Sequence, residues 1–185
     1  GVGSGIVIKG QLLPGNPFGA GEIGHLVVDP GGVLCQCGNR GCLETVSSTR
    51  GIIRRAIRLG IAGLNEVSTS PADPDSAGEP LIMEQLQKLC MSNDLAALKL
   101  IRDTGRYLGR AAASLVGVLG CCRILLAGSV TCFGQPLLDA VREEMSAWAF
   151  SPVAQGTEIG FVSIGADIVL RGTSVLVLSR EMRLL

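Results

Sequence analysis

One histidine and three closely spaced cysteines restrict the fold of this chain more than any other feature. His25 is the only histidine in the sequence. It is followed by Cys35-Gln-Cys37 and, past Gly38 and Gly41, by Cys42. One imidazole and three thiols are the donor set of a tetrahedral structural zinc site. Glycine between the thiols lets the backbone take positive φ and close tightly. The spacing therefore predicts a knuckle over 25–42, with His25 reaching it from a neighbouring strand that continues as Leu26-Val27-Val28. A buried thiol or a satisfied core histidine would explain any one of the four alone. Together, the four point to a metal. Four protein ligands leave no open coordination position, so the ion orders structure rather than activating water.

A length of 185 residues suits one domain with a sizeable core. Sixteen basic and sixteen acidic residues cancel, and no long run of Lys or Arg occurs. Nothing here predicts nucleic-acid or membrane-surface binding by the chain itself, so any DNA contact is expected to come from elsewhere. The longest apolar stretches, such as Ala111 to Cys122, end well short of the ~20 residues of a spanning helix, and no signal peptide is apparent. Seven cysteines are an odd number. Three fall in the knuckle, and Cys90, Cys121, Cys122 and Cys132 have apolar sequence surroundings, which fits a reducing cytoplasm. The chain opens with Gly1 inside a glycine-rich strand pattern, so the expectation is a fragment of a longer polypeptide.

Along the chain, residues 5–9 and 22–29 read as strands, joined by a Pro- and Gly-rich loop over 11–21. Leu43 to Leu59 reads as one amphipathic helix ended by Gly60, with Arg50, Arg54, Arg55 and Arg58 on its solvated face and phosphate binding a secondary reading. A polar surface loop is expected over 64–80. Helices are expected over 81–90, 94–119, 134–150 and 166–184, the second half of the longest being small and apolar enough to pack tightly. Strands are expected at 123–127, buried, and at 158–163. Alternating strands and helices argue for an α/β layer with parallel strands.

Two glycine segments are candidate phosphate contacts. Gly1-Val-Gly3-Ser-Gly5 allows close backbone approach, but no helix follows it, and glycines that merely tighten a hairpin explain the pattern equally well. Leu126-Ala-Gly128-Ser129 ends a strand, where α/β sheets commonly present ligands. Glu22 and Glu44 flank the metal donors, placed to accept hydrogen bonds from a polyol. If zinc takes one nitrogen of His25, the other remains available to a ligand. Glu44 alone also reads as an ordinary helix-start residue.

Glu22-Ile-Gly-His25 followed by Cys35-x-Cys37-Gly-x-x-Gly-Cys42-Leu-Glu44 resembles the signature of the ROK family, which groups sugar-responsive transcriptional repressors and sugar kinases. The resemblance runs from Gly1 to roughly the C-terminus. It implies an α/β, actin-like or hexokinase-type fold, ribonuclease H-like, of which residues 1–185 form the C-terminal lobe with an inserted zinc knuckle. The N-terminal lobe and any DNA-binding domain would lie upstream. It also implies that His25, Cys35, Cys37 and Cys42 bind zinc, and that Glu22, His25 and Glu44 contact sugar hydroxyls. In a kinase, Gly1, Gly3, Gly5 and Gly128 would face ATP and its Mg2+.

Family kinases draw their catalytic aspartate from the N-terminal half, so no catalytic residue is expected in this chain. Kinase members typically carry three glycines where Gly3-Ser4-Gly5 stands and a Gly-Gly pair where Ala127-Gly128 stands. Both departures resemble the repressor branch. The favoured expectation is a non-enzymatic, sugar- or sugar-phosphate-sensing lobe of a transcriptional regulator, homo-oligomeric, reaching DNA only through an upstream domain. The alternative is an ATP-dependent sugar kinase of the glucokinase or N-acetylhexosamine type. A zinc-stabilised binding module with neither role is a third reading.

Overall fold

The computed structural model describes residues 1–16, 19–61, 78–163 and 167–182. Four short strands and seven helices occur among them: β1 (Val7–Ile8), β2 (Gln11–Leu12), α1 (Leu43–Ser47), α2 (Thr49–Arg58), α3 (Glu79–Met91), α4 (Leu95–Leu119), β3 (Arg123–Leu126), α5 (Gln135–Trp148), α6 (Ser151–Ala154), β4 (Glu158–Phe161) and α7 (Ile168–Glu181). The arrangement is α/β, as expected. β3 and β4 pair in parallel from Arg123 opposite Glu158 to Leu126 opposite Phe161. A parallel pair needs a long crossover, and α5 with α6 supplies it.

The main core lies between helices. Ile52 and Ile53 of α2, Ile82 and Leu86 of α3, Leu100 and Ile101 of α4, and Leu137 and Val141 of α5 are sealed from solvent. α4 packs closely against α5 near its middle, at Gly105 and Gly109, while the end of the half expected to pack tightly is open, with Val118 and Leu119 exposed. An added Cβ at Gly105 would stand 2.7 Å from Ala140 Cβ, and one at Gly109 would stand 2.7 Å from Glu144 Cβ. Only glycine at both positions permits this approach. Asp94 starts α4 by accepting the Ala97 N–H at 2.8 Å, satisfying a donor that has no partner within the helix.

Several expectations are corrected. Residues 22–29 do not form a strand: Ile23–His25 is one 3-10 turn, and only an isolated bridge joins Val27 to Cys42. The segment turns because it folds across the first residues, with the Ser4 N–H and the Ile23 N–H both donating to the Gly21 carbonyl. The single helix over 43–59 is two. Ser48 is extended at ψ 160° and its hydroxyl accepts the Gly51 N–H, so a residue that competes with helical bonding caps a second helix instead. β2 falls inside the expected 11–21 loop, and its hairpin turns at Lys9-Gly10, not at Gly1, Gly3 or Gly5.

β3 is not buried: Arg123 and Leu125 are exposed, because β4 is its one strand neighbour among the described residues and covers one edge only. Cys122 is likewise exposed, while Cys90 is buried and Cys121 and Cys132 lie partly covered. Most of the 64–80 loop lies outside the described residues, and Glu79 and Pro80 already belong to α3. The ends of the expected 166–184 helix also lie outside them. No helix among the described residues is long and apolar enough to cross a membrane.

Candidate functional site

The knuckle is built from backbone hydrogen bonds. Val28 and Asp29 both donate to the Gly41 carbonyl, Gly41 donates to Val33, Cys35 donates to Asn39 at 2.7 Å, and Leu43 donates to Leu26. Gly41 sits at φ +68°, and a Cβ there would fall on the Asp29 carbonyl. The glycine predicted from spacing is therefore required twice, for its dihedral and for the close strand crossing.

This folding brings the four predicted donors together. The imidazole of His25 and the sulfurs of Cys35, Cys37 and Cys42 offer one atom each, all within 4.8 Å of one another. Cys37 and Cys42 sulfurs lie 3.5 Å apart, and Cys35 Sγ lies 3.7 Å from His25 Nδ1. A tetrahedron with Zn–S of about 2.3 Å and Zn–N of about 2.0 Å has edges of about 3.5–3.8 Å, so the donor set fits zinc in size and chemistry. Cys35 and Cys42 are buried, and Cys37 faces solvent. The Asn39 backbone N–H, ahead of the neighbouring thiols, holds the Cys37 thiol below its ordinary range. Burial, reinforced by Cys37 and Cys35, pushes Cys42 up to about 12. Sulfurs this crowded share negative charge well only beside a cation.

With Nδ1 turned to Cys35, the other nitrogen of His25 points outward, 3.9 Å from Glu22 Oε2. Glu44, in the first turn of α1, accepts the Val2 N–H at 3.2 Å, and Gly24 packs on the Val2 carbonyl. The Gly1-Val2 segment thereby joins the 3-10 turn bearing His25 to the helix bearing Glu44. Gly3 and Gly5 continue this segment, and Ser4 between them ties both its N–H (2.8 Å) and its hydroxyl (3.2 Å) to Gly21. Gly128 lies elsewhere. It ends β3 at φ +93°, its carbonyl accepts from Thr131, and its neighbour Ser129 meets Thr49 at the start of α2. Among the described residues no hydrogen bond links it to Gly1–Gly5.

The supports of the knuckle were not read from the sequence. Arg110 on α4 donates to the Val28 carbonyl at 3.1 Å, pairs with Glu144 at 2.8 Å, and stacks between Tyr107 and Trp148. Arg55 is not on a solvated face like Arg50, Arg54 and Arg58. It is half-buried, donates to the Val46 carbonyl and to Thr104 Oγ1, and lies 5.3 Å from the Tyr107 ring centre. Burial lowers its pKa, against the favourable fields of Tyr107, Asp103 and Asp29. The spacing of Tyr107 and Arg110 marks one helix face, but nothing local names the carbonyl that Arg110 holds. A cleft of about 170 Å³ opens beside these residues, lined by Asp29, Val46, Arg54, Arg55, Arg58 and Tyr107 among others.

The chain is similar along most of its length to known proteins. A glucokinase from Halalkalibacterium halodurans is 37% identical over 182 residues, covering 98% of this chain and 54% of its own length. The DNA-binding transcriptional dual regulator NagC of Escherichia coli is 33% identical over 141 residues, covering 76% of this chain and 33% of its own length. The crystal structure of a ROK hexokinase from Thermus thermophilus superposes with a TM-score of 0.65 at 28% identity, over 89% of this chain and 49% of that one. The chain thus spans about half the length of the glucokinase and a third of the regulator. The ROK family profile matches residues 1–180, and the chain belongs to the ROK family.

Proposed function

We propose that this chain is the sugar-sensing lobe of a ROK transcriptional regulator, in which a structural zinc orders a sugar pocket. The observation that carries the reading is the division of labour within His25: Nδ1 faces the cysteine sulfurs while the opposite nitrogen faces Glu22 and solvent. His25, Cys35, Cys37 and Cys42 would hold the ion, which supplies order to the loop and no open coordination site. The imidazole then keeps one tautomer, with its outer N–H ready to donate to a sugar hydroxyl. Glu22 and Glu44 offer carboxylate acceptors for neighbouring hydroxyls, and charge-assisted hydrogen bonds of this kind are short and directional. Binding acts on transcription by favouring one arrangement of the full-length regulator, which requires different sugar affinity in two conformations.

The regulator is preferred to a kinase because the segment Gly1–Gly5 is engaged internally. Ser4 spends its N–H and its hydroxyl on Gly21, and Val2 spends its N–H on Glu44, leaving fewer donors for a nucleotide phosphate. The 37% identity to a glucokinase favours the second reading, an ATP-dependent sugar kinase. There Gly1, Gly3, Gly5 and Gly128 would face ATP with Mg2+, and the aspartate that accepts the sugar proton would come from residues outside these 185.

Titration of the full-length, zinc-supplemented protein with glucose, N-acetylglucosamine and N-acetylmannosamine tests the pocket, with ADP release measured in parallel. Saturable binding of one sugar, weakened at least tenfold in Glu44→Gln and without ADP release, is the expected result. Turnover near the ~1–100 per second of kinases would replace the regulator by the kinase.

A further inference from the structure

We infer that the arginine-lined cleft beside the knuckle is an oxyanion site that takes a phosphoryl group. Its walls carry three guanidinium groups, from Arg54, Arg55 and Arg58, against the single carboxylate of Asp29. None of the three arginines forms an ion pair with a carboxylate among the described residues, although Arg50, Arg106, Arg110 and Arg123 each do. Arg54 and Arg58 stand four residues apart on α2, where like charges repel each other in the absence of a counter-ion.

Arg55 is the organised member. One of its terminal nitrogens is held by the Val46 carbonyl and Thr104 Oγ1, the latter on a fully buried threonine, and its plane rests against Tyr107. A guanidinium fixed in this way loses little freedom on binding, and its fork matches two oxygens of a phosphate. Asp29 and Asp103 lie in the field of Arg55 but outside ion-pair distance, so this half-buried positive charge, with Arg54 and Arg58 beside it, is stabilised further by a multiply charged anion. The cleft, about 170 Å³, is of a size for one phosphoryl group with a small remainder and not for a polymer.

The site is separate from the sugar contacts proposed above. The cleft is lined on α1 by Thr45 and Val46, and none of Glu22, His25 and Glu44 lines it. The cleft also differs from the candidate phosphate segments: neither Gly1–Gly5 nor Gly128 lines it.

Calorimetric titration of the full-length protein with inorganic phosphate and, separately, with glucose 6-phosphate tests the inference. One saturable phosphate site per chain is expected, weakened at least tenfold in Arg54→Gln/Arg58→Gln and partly restored in Arg54→Lys/Arg58→Lys. Both residues are exposed, so the variants should keep the wild-type circular dichroism and the wild-type affinity for free sugar. Tighter binding of glucose 6-phosphate than of phosphate, lost in the same variant, assigns the phosphoryl group to a phosphorylated sugar; equal affinities assign it to free phosphate. No binding of either ligand, equal binding by wild type and the glutamine variant, or a variant that changes only the oligomeric state would overturn the site.

Discussion

The helical body and the knuckle are held together by different means. Between α2, α3, α4 and α5, large aliphatic side chains are fully buried and two glycines bring α4 against α5. Among the described residues, the cluster under the knuckle has only Val28, Leu43, Val46 and Ala111 as buried members. That is little apolar surface to hold a loop of this length in place, so its order rests largely on backbone hydrogen bonds and on Arg110, to which the proposed zinc would add. The contrast shows that the body is stabilised by burial and that the candidate site is stabilised by polar bonding. The site can therefore lose its shape while the body keeps its own.

The sharpest way to break this contrast is Cys42→Ser, or chelation of the proposed zinc. Structural zinc is worth roughly 10 kcal/mol or more to small zinc folds, so metal content should fall from about one per chain to well below. Amides of residues 26–43 should lose hydrogen-exchange protection, while those of α4 and α5 keep theirs. Equal loss in both regions would merge them into one cooperative unit. A smaller effect, of opposite distribution, is expected from Leu100→Ala. Truncating this sealed side chain should cost about 2–5 kcal/mol in global denaturant unfolding. Zinc content at low denaturant should stay unchanged. The smallest comes from Ser48→Ala at the junction of the two regions. Loss of its cap to Gly51 should cost about 1 kcal/mol, read as a lower unfolding midpoint with an unaltered m-value.

The parts of the molecule that were readable in advance follow the same division. Periodicity located α4 and α5, and their ends agree to within one or two residues because Asp94 and the glycines around them are local signals. The four donors were readable because their chemistry is specific and their spacing is local. The segment 22–29 was misread as a strand because its conformation depends on Val2, Ser4 and Gly41, which are distant in sequence or carry no pattern of their own. Arg55 was misread for a related reason. Its helical phase placed it with Arg54 and Arg58, but α4 comes close enough to offer Thr104 and Tyr107 to it. Tertiary partners of this kind leave no trace in a helical wheel.

The position of Trp148 has a practical consequence. It is the chain's single tryptophan, and it stacks 5.0 Å from the guanidinium of Arg110, the same group that holds the Val28 carbonyl. Its ring is still largely open to water, so its emission responds to what covers it. The native protein therefore carries an optical gauge of the knuckle: loss of the Val28 contact leaves Arg110 held by Glu144 alone among its hydrogen-bond partners, and the emission of Trp148 should report the change without any attached label.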